Sequence, residues 1–205
     1  MRRGVPAATI KKWRGGNVTI KVAHVNWADF WGANYDLTWI TNQIDNAQKL
    51  GCNAIRIIGA VNGIVTGAYT RATYQSRVDA VITYCANRGM SYYAVGAGDY
   101  ATTLAAATQT EIVAHATFLT GYSNIIGYDI IQEIDLWAST NATTVAASLA
   151  TMTTWYTAVK AVAPNLPVTW SYSVGNTNAN AAALDYYDAH QYTDAAHFTV
   201  SGFQP

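Results

Sequence analysis

The stretch that decides the fold is residues 124–135, with the sequence NIIGYDIIQEID. It follows a polar turn, runs through isoleucines and a tyrosine, and ends by placing Gln132 beside Glu133. A short apolar run with many β-branched residues, bounded by turn residues, is typical of a strand buried on both faces. Ligands bind at the carboxyl ends of such strands in α/β folds. Glu133 is therefore the first candidate site residue. The chain has only one other glutamate, Glu111.

The composition predicts one globular domain. The chain has 205 residues (22.1 kDa), enough for one sizeable core, and 51% of them are apolar. Only 12% are charged and the formal net charge is zero, which argues against disorder and against nucleic acid as a partner. No window has the apolar length of a membrane span, and no signal-peptide core is visible. Cys52 and Cys85 are expected to be reduced, buried thiols.

The chain divides into a basic head and one domain. Residues 1–17 form an N-terminal arm or linker that is either a solvated tail or a segment that docks onto a larger assembly. Residues 18–205 alternate strand and helix patterns. The strands are expected at 18–25, 53–58, 90–95, up to Glu133, 167–172 and 186–191; the helices are expected at 36–50, 74–87, from a Thr108/Glu111 capping box to 119, and 144–162.

This alternation predicts a parallel sheet with helical crossovers. A (β/α)8 TIM barrel uses about 31 residues per unit, so residues 18–205 hold about six of the eight units. An open doubly wound sheet is the competing architecture. Neither the 59–67 loop nor Gly96-Ala97-Gly98 has the spacing of a dinucleotide or phosphate loop, so an enzyme for a phosphorylated metabolite is not favoured.

Three short motifs resemble one enzyme family. They are GCNAIRI at 51–57, GYDIIQE at 127–133 and DAHQY at 188–192. In this order they are similar to the second, fourth and sixth strands of family-five glycoside hydrolases, the cellulase and mannanase group. The resemblance implies a retaining hydrolase of a β-linked polysaccharide that needs no metal or organic cofactor. Such an enzyme uses two carboxyl groups about 5–5.5 Å apart.

The resemblance also implies roles for residues. Glu133 would be the general acid/base, and Arg56 would hold the nucleophile in its ionised form. His190 and Tyr192 would border the sugar subsite beside the nucleophile. Other reasons to be buried remain open: Arg56 could pair with Glu133 in a buried ion pair, and His190 could be a core histidine.

The substrate-binding candidates combine an amide, an acid and aromatic faces. Gln132 stands where the family has asparagine, and the third strand ends in Asp99 where the family has histidine. Flat aromatic rings stack on sugars but also fill cores. The tryptophans that follow or end strands, and that we consider for stacking, are Trp27, Trp31, Trp137 and Trp170.

The nucleophile is the missing part of the pattern. The family carries it as a glutamate on the seventh strand, and this chain has no glutamate after Glu133; its later acids are Asp135, Asp185, Asp188 and Asp194. The first hypothesis is therefore a retaining hydrolase whose nucleophile lies beyond Pro205. The alternative is a glycan-binding or structural module without catalysis, for example a phage minor tail protein contacting a host cell-wall glycan. A glycan-directed chain would reach the virion or the extracellular space without a signal peptide; any other function favours the cytoplasm.

Overall fold

The computed structural model describes residues 15–17, 27–98, 104–140, 145–172, 184–186 and 188–189. The described strands are β1 (Gly15–Asn17), β2 (Ala54–Ile57), β3 (Ser91–Ala97), β4 (Ile125–Ile131), β5 (Val168–Thr169), β6 (Ser171–Tyr172) and β7 (Asp188–Ala189). The described helices are α1 (Trp27–Trp31), α2 (Leu37–Lys49), α3 (Asn62–Val65), α4 (Arg71–Ala86), α5 (Ala106–Leu119), α6 (Ile134–Thr140) and α7 (Val145–Val162).

The strands form a parallel sheet in the order of the chain. The five-stranded sheet runs β1-β2-β3-β4-β5, and β6 pairs in parallel with β7. A doubly wound sheet reverses its order at a switch point, whereas a barrel adds each strand beside the one before it. The continuous order rules out the doubly wound alternative and confirms a TIM-barrel-type α/β fold with part of the barrel present.

The predicted strand at 167–172 is interrupted at Trp170. Its first half, β5, pairs with β4, and its second half, β6, pairs with β7. The indole of Trp170 is fully buried and its Nε1–H donates to the hydroxyl of Tyr172 at 2.9 Å. The segment 168–172 therefore changes its pairing partner at Trp170, from β4 to β7.

Side-chain N-caps mark the starts of the helices α2 and α4. Asp36 accepts a hydrogen bond from the N–H of Trp39 at 2.9 Å and caps α2, which ends before Gly51 with φ 85°. Thr70 caps α4 in the same way through the N–H of Thr73 at 3.1 Å. Both caps are polar residues that favour helix N-termini. The α2 helix begins at Leu37, next to its expected start at 36, whereas α4 begins at Arg71, ahead of its expected start at 74.

The predicted capping box of α5 is wrong. The helix begins at Ala106 behind Ala105, which makes no side-chain cap, and Thr108 is buried inside the first turn. Glu111 instead binds Arg71 of α4 through two hydrogen bonds of 2.8 Å each. A capping box and an ordinary helical pair share the same three-residue spacing, so the sequence pattern does not separate them.

One other difference concerns the start of the sheet. Gly15–Asn17, assigned to the arm from the sequence, form the edge strand β1 beside β2. A strand of two glycines and an asparagine carries no apolar alternation by which to recognise it. The strand expected at 18–25 lies outside the described residues. Among the helices that the structure describes, none combines the length and the hydropathy that crossing a membrane requires.

The core between α4, α5 and β4 encloses a histidine. His115 is buried, stacks on Phe118, and contacts the rings of Tyr74 and Tyr128 edge to face. Its Nε2 has no hydrogen-bond partner among the described residues. Burial therefore penalises the charged imidazolium and lowers the pKa of His115 to about 3 from its usual 6.5.

This histidine should make the stability of the fold depend on pH. Between pH 6.5 and 3 the unfolded chain binds one more proton at His115 than the folded chain, so the free energy of unfolding falls as the pH decreases. The contribution is fully present above pH 6.5, and about 2 kcal/mol of it is lost by pH 5. The loss is measured as the difference between the free energies of urea unfolding above pH 6.5 and at pH 5. The variant His115→Phe should show a smaller difference. The same pH dependence in the variant would contradict this account.

Candidate active site

Glu133 lies in a sharp turn between β4 and α6. The N–H of the preceding Gln132 donates to the carbonyl of Ala97 on β3 at 2.9 Å, so the ladder extends one residue beyond β4. Glu133 then turns the chain with φ 52°, in the left-handed region that non-glycine residues rarely adopt. Its carbonyl accepts the N–H of Trp137 at 2.9 Å, which starts α6. The turn holds Glu133 at the carboxyl edge of the sheet.

The two glutamates of the chain occupy opposite kinds of position. Glu133 is only 1% exposed, and its backbone N–H donates to Oγ of Ser171 at 3.0 Å. Glu111 lies on the outer face of α5 in its ion pair with Arg71. The strand-end position of Glu133 agrees with the sequence pattern, whereas its burial differs from the expectation that a carboxylate there has left the core.

Arg56 pairs with Asp129 across the inner face of the sheet. Its Nη2 lies 3.1 Å from Oδ2 of Asp129, whose side chain is fully buried, and its guanidinium carbon lies 5.7 Å from the centre of the Tyr93 ring. β3 separates the two strands that carry this pair. Strands two apart in a sheet lie about 9.6 Å from each other, so the contact requires both side chains on the same face and the long arginine reaching across β3.

Arg56 therefore forms an ion pair in the barrel interior, as one alternative predicted, but its partner differs from the predicted one. The expected partner was Glu133, but the carboxylate that Arg56 contacts among the described residues is that of Asp129. Alternation along β4 explains this: Gly127, Asp129 and Ile131 face the barrel interior, while Tyr128 faces α5 and its hydroxyl contacts the carbonyl of Ile112 at 3.4 Å. Nε of Arg56 is buried and has no hydrogen-bond partner among the described residues.

Two residues of this arrangement were missed from the sequence. Asp129 accepts the backbone N–H of Ser171 at 3.0 Å in addition to its bond with Arg56, and the Ser171 hydroxyl receives the N–H of Glu133. The signal for Asp129 was present, because a carboxylate inside an apolar strand needs a cationic or hydrogen-bonding partner. Ser171 carried no comparable signal.

Gln132, beside Glu133, has an amide oxygen that finds no hydrogen-bond partner in the described part of the chain. Its side chain is 9% exposed, and its Oε1 has no partner among the residues that the structure describes. Its backbone is held by the bond to Ala97. Buried amides are normally hydrogen-bonded, so this oxygen is an exception among the described residues.

The four candidate tryptophans separate into core and edge. Trp31 and Trp170 are fully buried, and Nε1 of Trp31 donates to the carbonyl of Ile58 at 2.7 Å. Neither has an open face for a sugar, so core filling describes both. Trp137 is 7% exposed, and Trp27 is partly buried against Phe30 with ring centres 5.2 Å apart. Of the four, Trp27 keeps the most accessible ring.

Three candidate site residues lie outside the described residues: Asp99, His190 and Tyr192. Among the later acids, Asp185 is engaged on the outer layer: it binds Nζ of Lys160 at 2.8 Å and accepts the hydroxyl of Tyr156 at 2.9 Å. It also accepts the backbone N–H of Val168 at 2.9 Å, so Asp185 joins α7 to the start of β5 and is a structural carboxylate.

A groove of about 340 Å³ opens at the other edge of the sheet. It is lined by Leu119 and Tyr122 after α5, by Ile125 at the start of β4, and by residues 162–167. Ligand sites of parallel barrels lie at the carboxyl edge, whereas this groove lies at the amino edge. Glu133 and Gln132, and not the groove, therefore define the candidate site.

Solved structures share the fold, although no family model and no curated protein sequence matches the chain. A β-mannanase from the blue mussel Mytilus edulis has a TM-score of 0.66 at 15% identity, covering 92% of this chain and 72% of the mannanase. An exo-β-1,4-mannosidase from Opitutaceae bacterium strain TAV5 has a TM-score of 0.64 at 17% identity, covering 82% of this chain and 33% of the mannosidase. The GH5_18 protein of Streptomyces cattleya in complex with Manβ1-4GlcNAc has a TM-score of 0.56 at 14% identity, covering 72% of this chain and 42% of the Streptomyces protein.

The chain therefore has the barrel fold of the cellulase- and mannanase-type glycoside hydrolases, as the sequence resemblance predicted. It spans a third of the length of the exo-mannosidase, at 33%, and less than half of the Streptomyces protein, at 42%.

Proposed function

We propose that the chain is a retaining glycoside hydrolase domain for a β-linked glycan, with Glu133 as the general acid/base. The observation that carries the proposal is the buried Glu133 in the turn after β4 of a glycoside-hydrolase-type barrel. Side chains at this edge of a barrel face bound ligands. A carboxyl group there can protonate the glycosidic oxygen and later accept a proton from water.

The reaction needs a second carboxylate, which we leave unassigned. That nucleophile attacks the anomeric carbon while Glu133 gives its proton to the departing oxygen, so a glycosyl–enzyme ester forms. Water then attacks the same carbon, Glu133 takes the proton of the water, and the ester bond breaks. In this proposal His190, Tyr192 and Asp99 border the sugar, and Trp27 stacks on it.

Gln132 supports the same proposal. Its Oε1, which has no partner among the described residues, belongs to the residue next to Glu133, so a sugar hydroxyl bound there would satisfy a buried acceptor. The side chain is one methylene longer than the asparagine of the family. We infer that Gln132 binds the hydroxyl of the sugar that occupies the catalytic subsite.

β-1,4-linked mannosides are the first substrates to test, because two of the structural neighbours carry mannanase or mannosidase in their names. The full-length protein is incubated with β-1,4-mannan, a β-1,4-glucan and an α-linked glucan as control. We expect new reducing ends from a β-linked glycan and a first product that keeps the β configuration by NMR. Binding to these glycans without new reducing ends would overturn the hydrolase proposal and favour a glycan-binding module.

A further inference from the structure

The backbone of Glu133 needs an external support. Its φ of 52° lies in a region that a residue with a side chain adopts only when its surroundings hold it there. The preceding N–H, that of Gln132, is still held by the sheet through Ala97. The N–H of Glu133 is the first amide after β4 that leaves the ladder. A bond to this amide therefore controls the turn.

Ser171 provides that bond and is itself held in place. Its Oγ accepts the N–H of Glu133 at 3.0 Å, and its own N–H donates to Oδ1 of Asp129 at 3.0 Å. The second oxygen of Asp129 binds Arg56. Ser171, Asp129 and Glu133 are each at most 1% exposed, so water does not compete for these bonds. The carboxyl-terminal end of β4 and the start of β6 are thus linked by two hydrogen bonds of opposite direction.

We propose that Ser171 is a positioning residue for the acid/base, a role that rests on the function proposed above. Its hydroxyl fixes the left-handed turn, and the turn determines where the carboxyl group of Glu133 meets the glycosidic oxygen. Ser171 does not contact the substrate in this account. Removing its hydroxyl leaves the carboxyl group present but poorly aligned, which lowers the rate of the chemical step more than it weakens binding.

The test compares Ser171→Ala with Thr169→Val in the full-length enzyme. Thr169 is a matched control, because it is equally buried in the adjoining strand and its hydroxyl donates to the carbonyl of Tyr186 at 2.9 Å, away from Glu133. We expect Ser171→Ala to lower kcat about 10–100-fold with KM changed less than about twofold, and Ser171→Thr to restore kcat. Thr169→Val should keep kcat. Equal losses in Ser171→Ala and Thr169→Val would overturn the proposal.

A second readout does not depend on activity. The exchange of the Glu133 amide hydrogen, followed by NMR in the same variants, should be at least about fivefold faster in Ser171→Ala and unchanged in Thr169→Val. An unchanged exchange rate in Ser171→Ala, or faster exchange with wild-type kcat, would overturn the positioning role. If Glu133→Gln left turnover intact, the function would be wrong, while the amide exchange would still test the contact made by Ser171.

Discussion

Glu133→Gln is expected to lower kcat for a natural β-linked glycan by about 10²–10⁴-fold, the range that general acid/base catalysis contributes. Glutamine keeps the size of the side chain and can occupy the same turn, so the midpoint of urea unfolding should stay close to that of the wild type. Only the transferable proton is lost. A glycoside whose leaving group needs no protonation should lose much less in its first step, and comparing the two substrate types measures the acid role directly.

Glu111→Gln is the matched control for this experiment. It makes the same chemical change at the other glutamate, which lies on α5 against Arg71. Its ion pair is partly exposed, so its loss should change the free energy of unfolding by at most about 1 kcal/mol. Turnover should remain at the wild-type level. Similar losses in the two variants would mean that the effect of Glu133→Gln is not specific to the site.

Asp129→Ala should produce the largest loss of stability, about 3–5 kcal/mol in the free energy of unfolding. The variant leaves the guanidinium of Arg56 in the barrel interior without its carboxylate, and it removes the acceptor of the Ser171 N–H. Ser171 is fully buried and only 15% of the Arg56 side chain is exposed, so little water is available to replace either lost bond. Urea unfolding of the full-length protein measures this change.

Removing both charges distinguishes a broken ion pair from a general defect. The double variant Arg56→Met and Asp129→Leu replaces the pair with apolar side chains and should recover a large part of the lost stability. Glu111→Ala, which breaks the exposed pair with Arg71, should cost only about 0.2–1 kcal/mol. If the double variant were less stable than Asp129→Ala alone, an uncompensated Arg56 would not be the cause of the loss.

The fold was predictable because its signals are local. Apolar runs such as residues 124–131 alternate with helical patterns, and the N-cap of α2, Asp36, stands at the expected start of that helix. This periodicity indicates parallel strands joined by helices. It does not give the order of the strands in the sheet, because the crossovers of a barrel and of a doubly wound sheet look alike. The pairing of strands in chain order settled that choice.

The site was predictable only in part, because it depends on distances through space. The position of Glu133 followed from a strand and the residues after it. The partner of Arg56 did not, because Arg56 and Asp129 are 73 positions apart and meet only when β2, β3 and β4 lie side by side. Ser171 was missed for the same reason: a serine in a short, interrupted strand looks like any other until the turn at Glu133 is seen.

The order of the sheet has a consequence for how the chain is made. Each strand of the five-stranded sheet pairs with the strand synthesised just before it, so none must wait for a distant partner. At about 5–20 residues per second, a ribosome delivers one unit of about 31 residues every 2–6 s. The barrel can therefore assemble unit by unit during translation. At each stage its newest strand presents unpaired N–H and C=O groups, which makes the growing edge the place where a nascent chain is most prone to aggregate.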